Sequence, residues 1–278
     1  MEILKEFRSF GGRQLVLRHA SSATQTQMEL SLYLPPAADA GPVPMLVYLS
    51  GLTCTWENAT TKAGFQRCAA ELGLAVLCPD SSPRGEGVAN DDSYDLGQGA
   101  SFYLDATEAP WSSHFGMERY VVEELPRLLE AHFPVNTASM GIMGHSMGGH
   151  GALTLGLRHP KRFQCISALS PIVAPSQVPW GQKAFAAYLG ADRTAWAEHD
   201  ACVLVRKRPH PAPIRIDQGG ADEFLKRELR PELFEAAAKS AGQALQLAVH
   251  PGYDHSYYFV ASFMPEHMQH HARVLRGG

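Results

Sequence analysis

Six short, mostly apolar runs, at 45–49, 75–78, 139–143, 165–169, 214–217 and 245–249, limit most strongly what this chain can fold into. Runs of this length with little polar alternation suit strands buried on both faces. Between them lie helix-like stretches at 63–72, 117–132, 148–159, 230–240 and 265–275, each ending near glycine, proline or another turn residue. Strand and helix alternate, so the spacing predicts an α/β fold with a mostly parallel central sheet and helices on both faces. Ahead of it, residues 1–36 carry alternating segments such as 14–18 and 28–34, closed by Pro35 and Pro36, which read as an antiparallel lead-in. No repeat or linker divides the 278 residues, so residues 1–278 are expected to form one domain. The irregular stretches at 80–116 and 171–212 are expected to be loops and short helices above the sheet, where long loops tend to build sites.

Charge and cysteine usage narrow the function classes. A net charge of −4 without a basic cluster argues against nucleic acid or an anionic membrane as partner. The N-terminal residues Glu2, Lys5, Glu6 and Arg8 place charges where a secretory signal would be apolar, and no stretch approaches a membrane span; a cytoplasmic protein is expected. Cys54, Cys68, Cys78, Cys165 and Cys202 are odd in number, scattered and without a C-x-x-C pair, which reads as reduced thiols rather than disulfides or a zinc site.

The chemistry is concentrated at Gly144-His145-Ser146-Met147-Gly148. G-x-S-x-G places a serine on a tight strand-to-helix turn whose flanking positions leave no room for side chains. An apolar run precedes the motif and a plausible helix follows it, with the positive end of its dipole beside Ser146. A bare five-residue pattern often marks only a glycine-rich turn; strand, turn and helix together favour a nucleophile. A serine hydroxyl needs a base, and the base an orienting acid, in the chain order Ser, Asp or Glu, His for this architecture. Asp217 lies in or at the end of a strand, whereas Asp222 follows a glycine turn at the sheet's C-terminal edge and is the candidate acid; it also suits a helix cap, and the two roles are compatible. His255 lies in a polar, glycine-containing turn after the last strand and is the candidate base. His250, at the strand's end before a proline, reads as structural, and His267, His270 and His271 read as surface positions of a helix. The backbone N–H of Met147 and that of Leu52, in the loop after an early strand, are the candidate oxyanion donors, although an ordinary glycine turn would look the same around Leu52.

Longer motifs go further. The segments Leu49-Ser50-Gly51-Leu52-Thr53-Cys54, Asp80-Ser81-Ser82-Pro83-Arg84-Gly85, Phe102-Tyr103-Leu104-Asp105-Ala106-Thr107, the run from Gly144 to Ala152, Pro179-Trp180-Gly181-Gln182-Lys183-Ala184-Phe185, the run from Asp217 to Asp222 and Gly252-Tyr253-Asp254-His255-Ser256-Tyr257-Tyr258-Phe259 occur in order over nearly the whole chain. In these the sequence resembles the S-formylglutathione hydrolase (esterase D) family. The resemblance implies the α/β-hydrolase fold and hydrolysis of S-formylglutathione to glutathione and formate, with side activity on short carboxylic esters. It implies Ser146 as nucleophile, Asp222 as acid, His255 as base, Leu52 and Met147 as oxyanion donors, no metal or organic cofactor, and a homodimer. Ser101 and the stretch 172–174 depart from the pattern common among relatives, at positions expected to line the site.

Cys54, two residues after Leu52, is placed near the nucleophile and is a candidate substrate-lining residue; a small buried packing role fits equally. Trp180 is a second such candidate, restricting the acyl group, and also suits a packing role in a lid. The charged groups of the glutathione moiety are open to Lys183, Arg84 or backbone donors. A short-chain carboxylesterase without a glutathione role and a non-catalytic binding module are the competing readings, and the ordered Ser146, Asp222 and His255 speak against the second.

Overall fold

The computed structural model describes residues 1–277, and its strands join in a single mixed sheet. The strands are β1 (Glu2–Ser9), β2 (Gly12–Ala20), β3 (Gln27–Leu34), β4 (Val43–Leu49), β5 (Ala75–Pro79), β6 (Val135–His145), β7 (Phe163–Leu169), β8 (Ile214–Gly219) and β9 (Leu245–His250). Their order is β1-β2-β3-β5-β4-β6-β7-β8-β9. β1, β2, β3 and β5 pair antiparallel in succession, and β5, β4, β6, β7, β8 and β9 run parallel. The antiparallel lead-in and the parallel remainder both match the expected pattern.

The apolar runs are strands because each can bury both faces. In β4, Met45, Val47 and Leu49 enter one core cluster, with the helices Met147–Arg158, Ala201–Lys207 and Pro231–Ala241. Leu46 and Tyr48 enter the other, with the helices Trp56–Lys62, Gln66–Leu72 and Tyr257–Leu275. Two cores separated by one sheet are what alternate residues of a doubly covered strand must form.

After β4 the chain moves to β5 on one side and then to β6 on the other, which creates a switch point between β4 and β6. Crevices for ligands open at the carboxyl ends of strands at such a point. Leu49 pairs with Gly144, so the loops leaving β4 and β6 emerge side by side.

Several expectations need revision. The helix expected over 63–72 is the shorter Gln66–Leu72, and a separate helix not read from sequence, Trp56–Lys62, precedes it; Thr55 caps that one through its hydroxyl, which accepts from Glu57 N. The last helix begins at Tyr257 and runs through Pro265. A proline inside a helix removes the hydrogen bond to the carbonyl four residues earlier; Ala261 is exposed, so water can satisfy that carbonyl. The stretch 171–212 contains the substantial helices Pro179–Leu189 and Ala201–Lys207.

His267, His270 and His271 are not surface residues: all are buried under that last helix. His267 Nδ1 lies 2.8 Å from Ser167 Oγ, His271 Nε2 lies 2.8 Å from the same hydroxyl, and His270 Nε2 lies 3.2 Å from the Ile166 carbonyl. The helix uses them to meet polar groups on β7 that an apolar face would leave unpaired. All five cysteines are free thiols. Among the described residues, no helix is long and apolar enough to cross a membrane.

Candidate active site

Ser146 ends β6 with φ 59° and ψ −119°, a strained backbone for a residue with a side chain. The turn survives because its neighbours are glycines. A Cβ on Gly148 would collide with the Leu49 carbonyl, and one on Gly144 with the Gly148 carbonyl. Ser146 N donates to the Leu169 carbonyl at 3.0 Å, which ties the turn to β7. The helix Met147–Arg158 starts immediately afterwards, so the Met147 N–H has no partner within its own helix.

Facing it, the loop after β4 is pinned by its other backbone groups. Thr53 N donates to the Gly99 carbonyl at 2.9 Å and Cys54 N to the Gly51 carbonyl at 3.3 Å, leaving Leu52 N–H without an acceptor among the described residues. The Cys54 carbonyl accepts from Arg84 Nη2 at 3.0 Å and from the Ser81 hydroxyl. Tyr103 OH donates to the Ser50 carbonyl at 2.8 Å. Thus residues 80–103, within the stretch expected from sequence to be loops and short helices, hold the loop after β4 in place.

Asp222 and His255 come together as expected, with His255 Nδ1 2.6 Å from Asp222 Oδ2. Gln218 Nε2 donates to the same oxygen at 3.2 Å, and Asp222 Oδ1 accepts from Phe224 N at 2.9 Å, a turn contact ahead of the helix Leu225–Leu229, whose N-cap is Phe224 and not Asp222. The His255 ring is also packed between two aromatic rings, His145 at 4.6 Å and Phe224 at 5.0 Å between centroids. Burial, and after it the neighbouring His255, hold the His145 pKa well below the ordinary histidine value. A neutral His145 adds no positive charge beside a base that must gain a proton.

Ser146 and His255 line one cleft of about 280 Å3, together with Gly51, Leu52, Cys54 and Tyr257. Tyr94, Trp180 and Phe224 close its other side. Cys54 is half-buried in this wall, and burial raises its thiol pKa, which keeps the thiol protonated. Trp180 is buried, with Nε1 donating to Tyr94 OH at 2.9 Å and its ring 4.8 Å from that of Phe224. It packs against its neighbours and walls the cleft at once. Ser101, by contrast, is turned inward: its hydroxyl donates to the Ser81 carbonyl at 2.6 Å. His145, Tyr94, Phe224 and Tyr257 had not been singled out from sequence. Phe224 was signalled only by lying two residues after Asp222, and nothing local distinguishes Tyr94.

His250 lies 2.7 Å from Asp217 Oδ1 and stacks on Phe263 at 3.7 Å, in keeping with its structural reading. Asp217 also lies 3.0 Å from His267 and 2.7 Å from Arg215. Burial alone would raise the Asp217 pKa, but the hydrogen bonds and charges of His267, His250 and Arg215 outweigh it and hold the carboxyl well below its ordinary range. Asp217, His267 and Ser167 therefore lie in a row as an acid, an imidazole and a hydroxyl, while Asp222 and His255 form a second acid–imidazole pair that shares a cleft with Ser146. The row is sealed beneath a helix, and only the second pair borders a cleft.

Residues 21–270 match the family model described as "Putative esterase". The chain is 55% identical to the S-formylglutathione hydrolase of Paracoccus denitrificans (strain Pd 1222), over 99% of this chain and 98% of that one. The solved structure of an S-formylglutathione hydrolase from Agrobacterium tumefaciens superimposes with a TM-score of 0.97 at 49% identity, covering 99% of this chain and 100% of that one. The Staphylococcus aureus serine hydrolase FphF shares the fold, with a TM-score of 0.75 at 20% identity over 94% of this chain and 98% of its own.

Proposed function

The chain belongs to the S-formylglutathione hydrolase family of esterases, and from that premise we propose that it hydrolyses S-formylglutathione to glutathione and formate through Ser146, His255 and Asp222. The observation that carries the residue assignment is the Asp222–His255 hydrogen bond of 2.6 Å at the rim of the cleft that contains Ser146.

The reaction follows from what each group can do. Ser146 Oγ attacks the thioester carbonyl while His255 Nε2 takes its proton. Asp222, bound to Nδ1, fixes the tautomer that leaves Nε2 free to accept and stabilises the imidazolium. The carbonyl oxygen becomes an oxyanion between the N–H groups of Leu52 and Met147, which their surroundings leave free. Collapse breaks the C–S bond, and His255 passes its proton to the leaving thiolate. Water, deprotonated by the same imidazole, then attacks the formyl-Ser146 ester and releases formate.

The walls formed by Leu52, Cys54, Trp180 and Tyr257 favour a very small acyl group. Short carboxylic esters such as p-nitrophenyl acetate pass through the same tetrahedral intermediate and are slower side substrates. The test compares kcat/KM on S-formylglutathione and p-nitrophenyl acetate for wild type and Ser146→Ala. The thioester is expected to be preferred, and Ser146→Ala to lose about 10^4-fold or more in kcat on both. A preference for the ester contradicts the substrate reading; retained turnover in Ser146→Ala contradicts the nucleophile.

A further inference from the structure

The cleft at Ser146 is too small and too uncharged for the whole of such a thioester. It holds about 280 Å3, and no Lys, Arg, Asp or Glu is among its described lining residues. Sites for ligands of this size enclose roughly 300–1,000 Å3. A glutathione thioester also carries two carboxylates and an ammonium, on arms that reach about two to three residue lengths, roughly 7–10 Å, from the sulfur when extended. These groups must lie beyond the acyl cleft.

Tyr94, Trp180 and Phe224 are walls shared with a second cavity of about 480 Å3, whose remaining charged lining is Asp95, Lys183, Glu223, Arg227 and Glu228. Lys183 stands three residues after Trp180 in the helix Pro179–Leu189, on the same helical side. Its ammonium is held 2.5 Å from Asp95 Oδ1 and 2.6 Å from Ser93 Oγ, which uses two of its three donors. Glu228, buried, accepts from Trp180 N at 3.0 Å and lies 3.3 Å from Arg227 Nε. The same carboxylate therefore anchors the cleft wall and steadies the second cation.

Arg84 lies apart from both the nucleophile cleft and this cavity. It is clamped by Asp80 at 3.0 Å and by the Cys54 carbonyl, and the cavity it lines shares no lining residue with the nucleophile cleft.

We infer that the cavity behind Tyr94, Trp180 and Phe224 binds the charged peptide part of the thioester, Lys183 and Arg227 receiving its carboxylates and Glu223 its ammonium. The inference rests on the substrate reading given above and adds the residues that recognise the peptide. The wall carries two cations and three carboxylates; Asp95 and Glu228 are paired with Lys183 and Arg227, which keep further donors for the substrate carboxylates and leave Glu223 for the ammonium.

The experiment measures kcat/KM on S-formylglutathione and p-nitrophenyl acetate for wild type, Lys183→Met, Arg227→Gln, the double variant and Lys183→Arg. Lys183→Met is expected to lower kcat/KM for S-formylglutathione about tenfold, through KM. The double variant is expected to lose more and Lys183→Arg to recover most of the loss. The loss on p-nitrophenyl acetate is expected to be several-fold smaller in every variant, and added salt to shrink the difference. Equal losses on both substrates, or none on S-formylglutathione, overturn the inference. A wild-type enzyme that cleaves the ester but not S-formylglutathione overturns the substrate reading, and this inference with it.

Discussion

His255, the proposed base, has its position set by its contacts. One ring nitrogen is fixed by Asp222 at 2.6 Å, and the ring is confined between His145 and Phe224. Replacing Asp222 by Asn keeps the shape and the turn contact with Phe224 N but lets the imidazole take the wrong tautomer. Asp222→Asn is therefore expected to reduce kcat by about 10^4-fold while leaving the thermal midpoint nearly unchanged. Steady-state kinetics with a melting curve checks both halves, and a loss explained by unfolding contradicts the orienting role. At this scale the sequence was informative: chain order and turn context single out Ser146, Asp222 and His255 as candidates, and the fold brings Asp222 and His255 together beside the cleft that Ser146 lines. His267, His270 and His271 were misread, although Met264, Met268 and Leu275 share their helical periodicity and lie in the core. A histidine on such a stripe is ambiguous until its partner is known, and the partner, Ser167, comes from a strand distant in sequence.

Among the elements, the loop after β4, which carries the proposed oxyanion donor Leu52, has its geometry imposed from outside. Its backbone is gripped by Arg84, Ser81, the Gly99 carbonyl and Tyr103, all within the irregular stretch after β5. Arg84→Met removes the donor to the Cys54 carbonyl and strands the buried Asp80 carboxylate. Because Arg84 is itself 32% exposed, the cost to stability is expected to be about 2 kcal/mol, below that of a fully buried pair. Turnover is expected to fall about tenfold, short of the loss of a whole oxyanion donor. Adding Asp80→Asn is expected to restore the denaturation midpoint but not kcat, which separates positioning from folding. Recovery of both together contradicts the positioning role.

The whole molecule buries several histidines in their neutral form. Burial pushes His150 down to about 3 and His199 and His270 to about 4, while His145 and His271 lie well below their ordinary value. In the unfolded chain these groups titrate near 6.5. Between about pH 4 and 6.5 the unfolded state binds more protons than the native state, so unfolding free energy falls as pH falls through that window. A histidine such as His150 alone accounts for about 2 kcal/mol lost between pH 7 and pH 5. Asp217 acts in the same direction only at lower pH, because its depressed pKa contributes stability that is lost below the ordinary carboxylate range. Urea titrations at pH 7.5 and 5.0 are expected to show a clear drop in midpoint, and a flat profile contradicts the neutral-histidine account.

By itself, the sequence determined the alternation of strands and helices, the antiparallel lead-in and the strand–turn–helix around Ser146, and it made Asp222 and His255 the candidate acid and base. These are written in local patterns: apolar runs set by strand burial, glycines demanded by a crowded turn, and a chain order imposed by the sheet. Only the tertiary structure decided which Asp–His pair opens to a cleft, which rings hold His255, and that residues 80–103 fix the loop after β4. It alone placed the charged cavity beside Trp180. Each of these depends on groups far apart in the chain that meet because β4 and β6 emerge side by side, and no local pattern encodes that meeting.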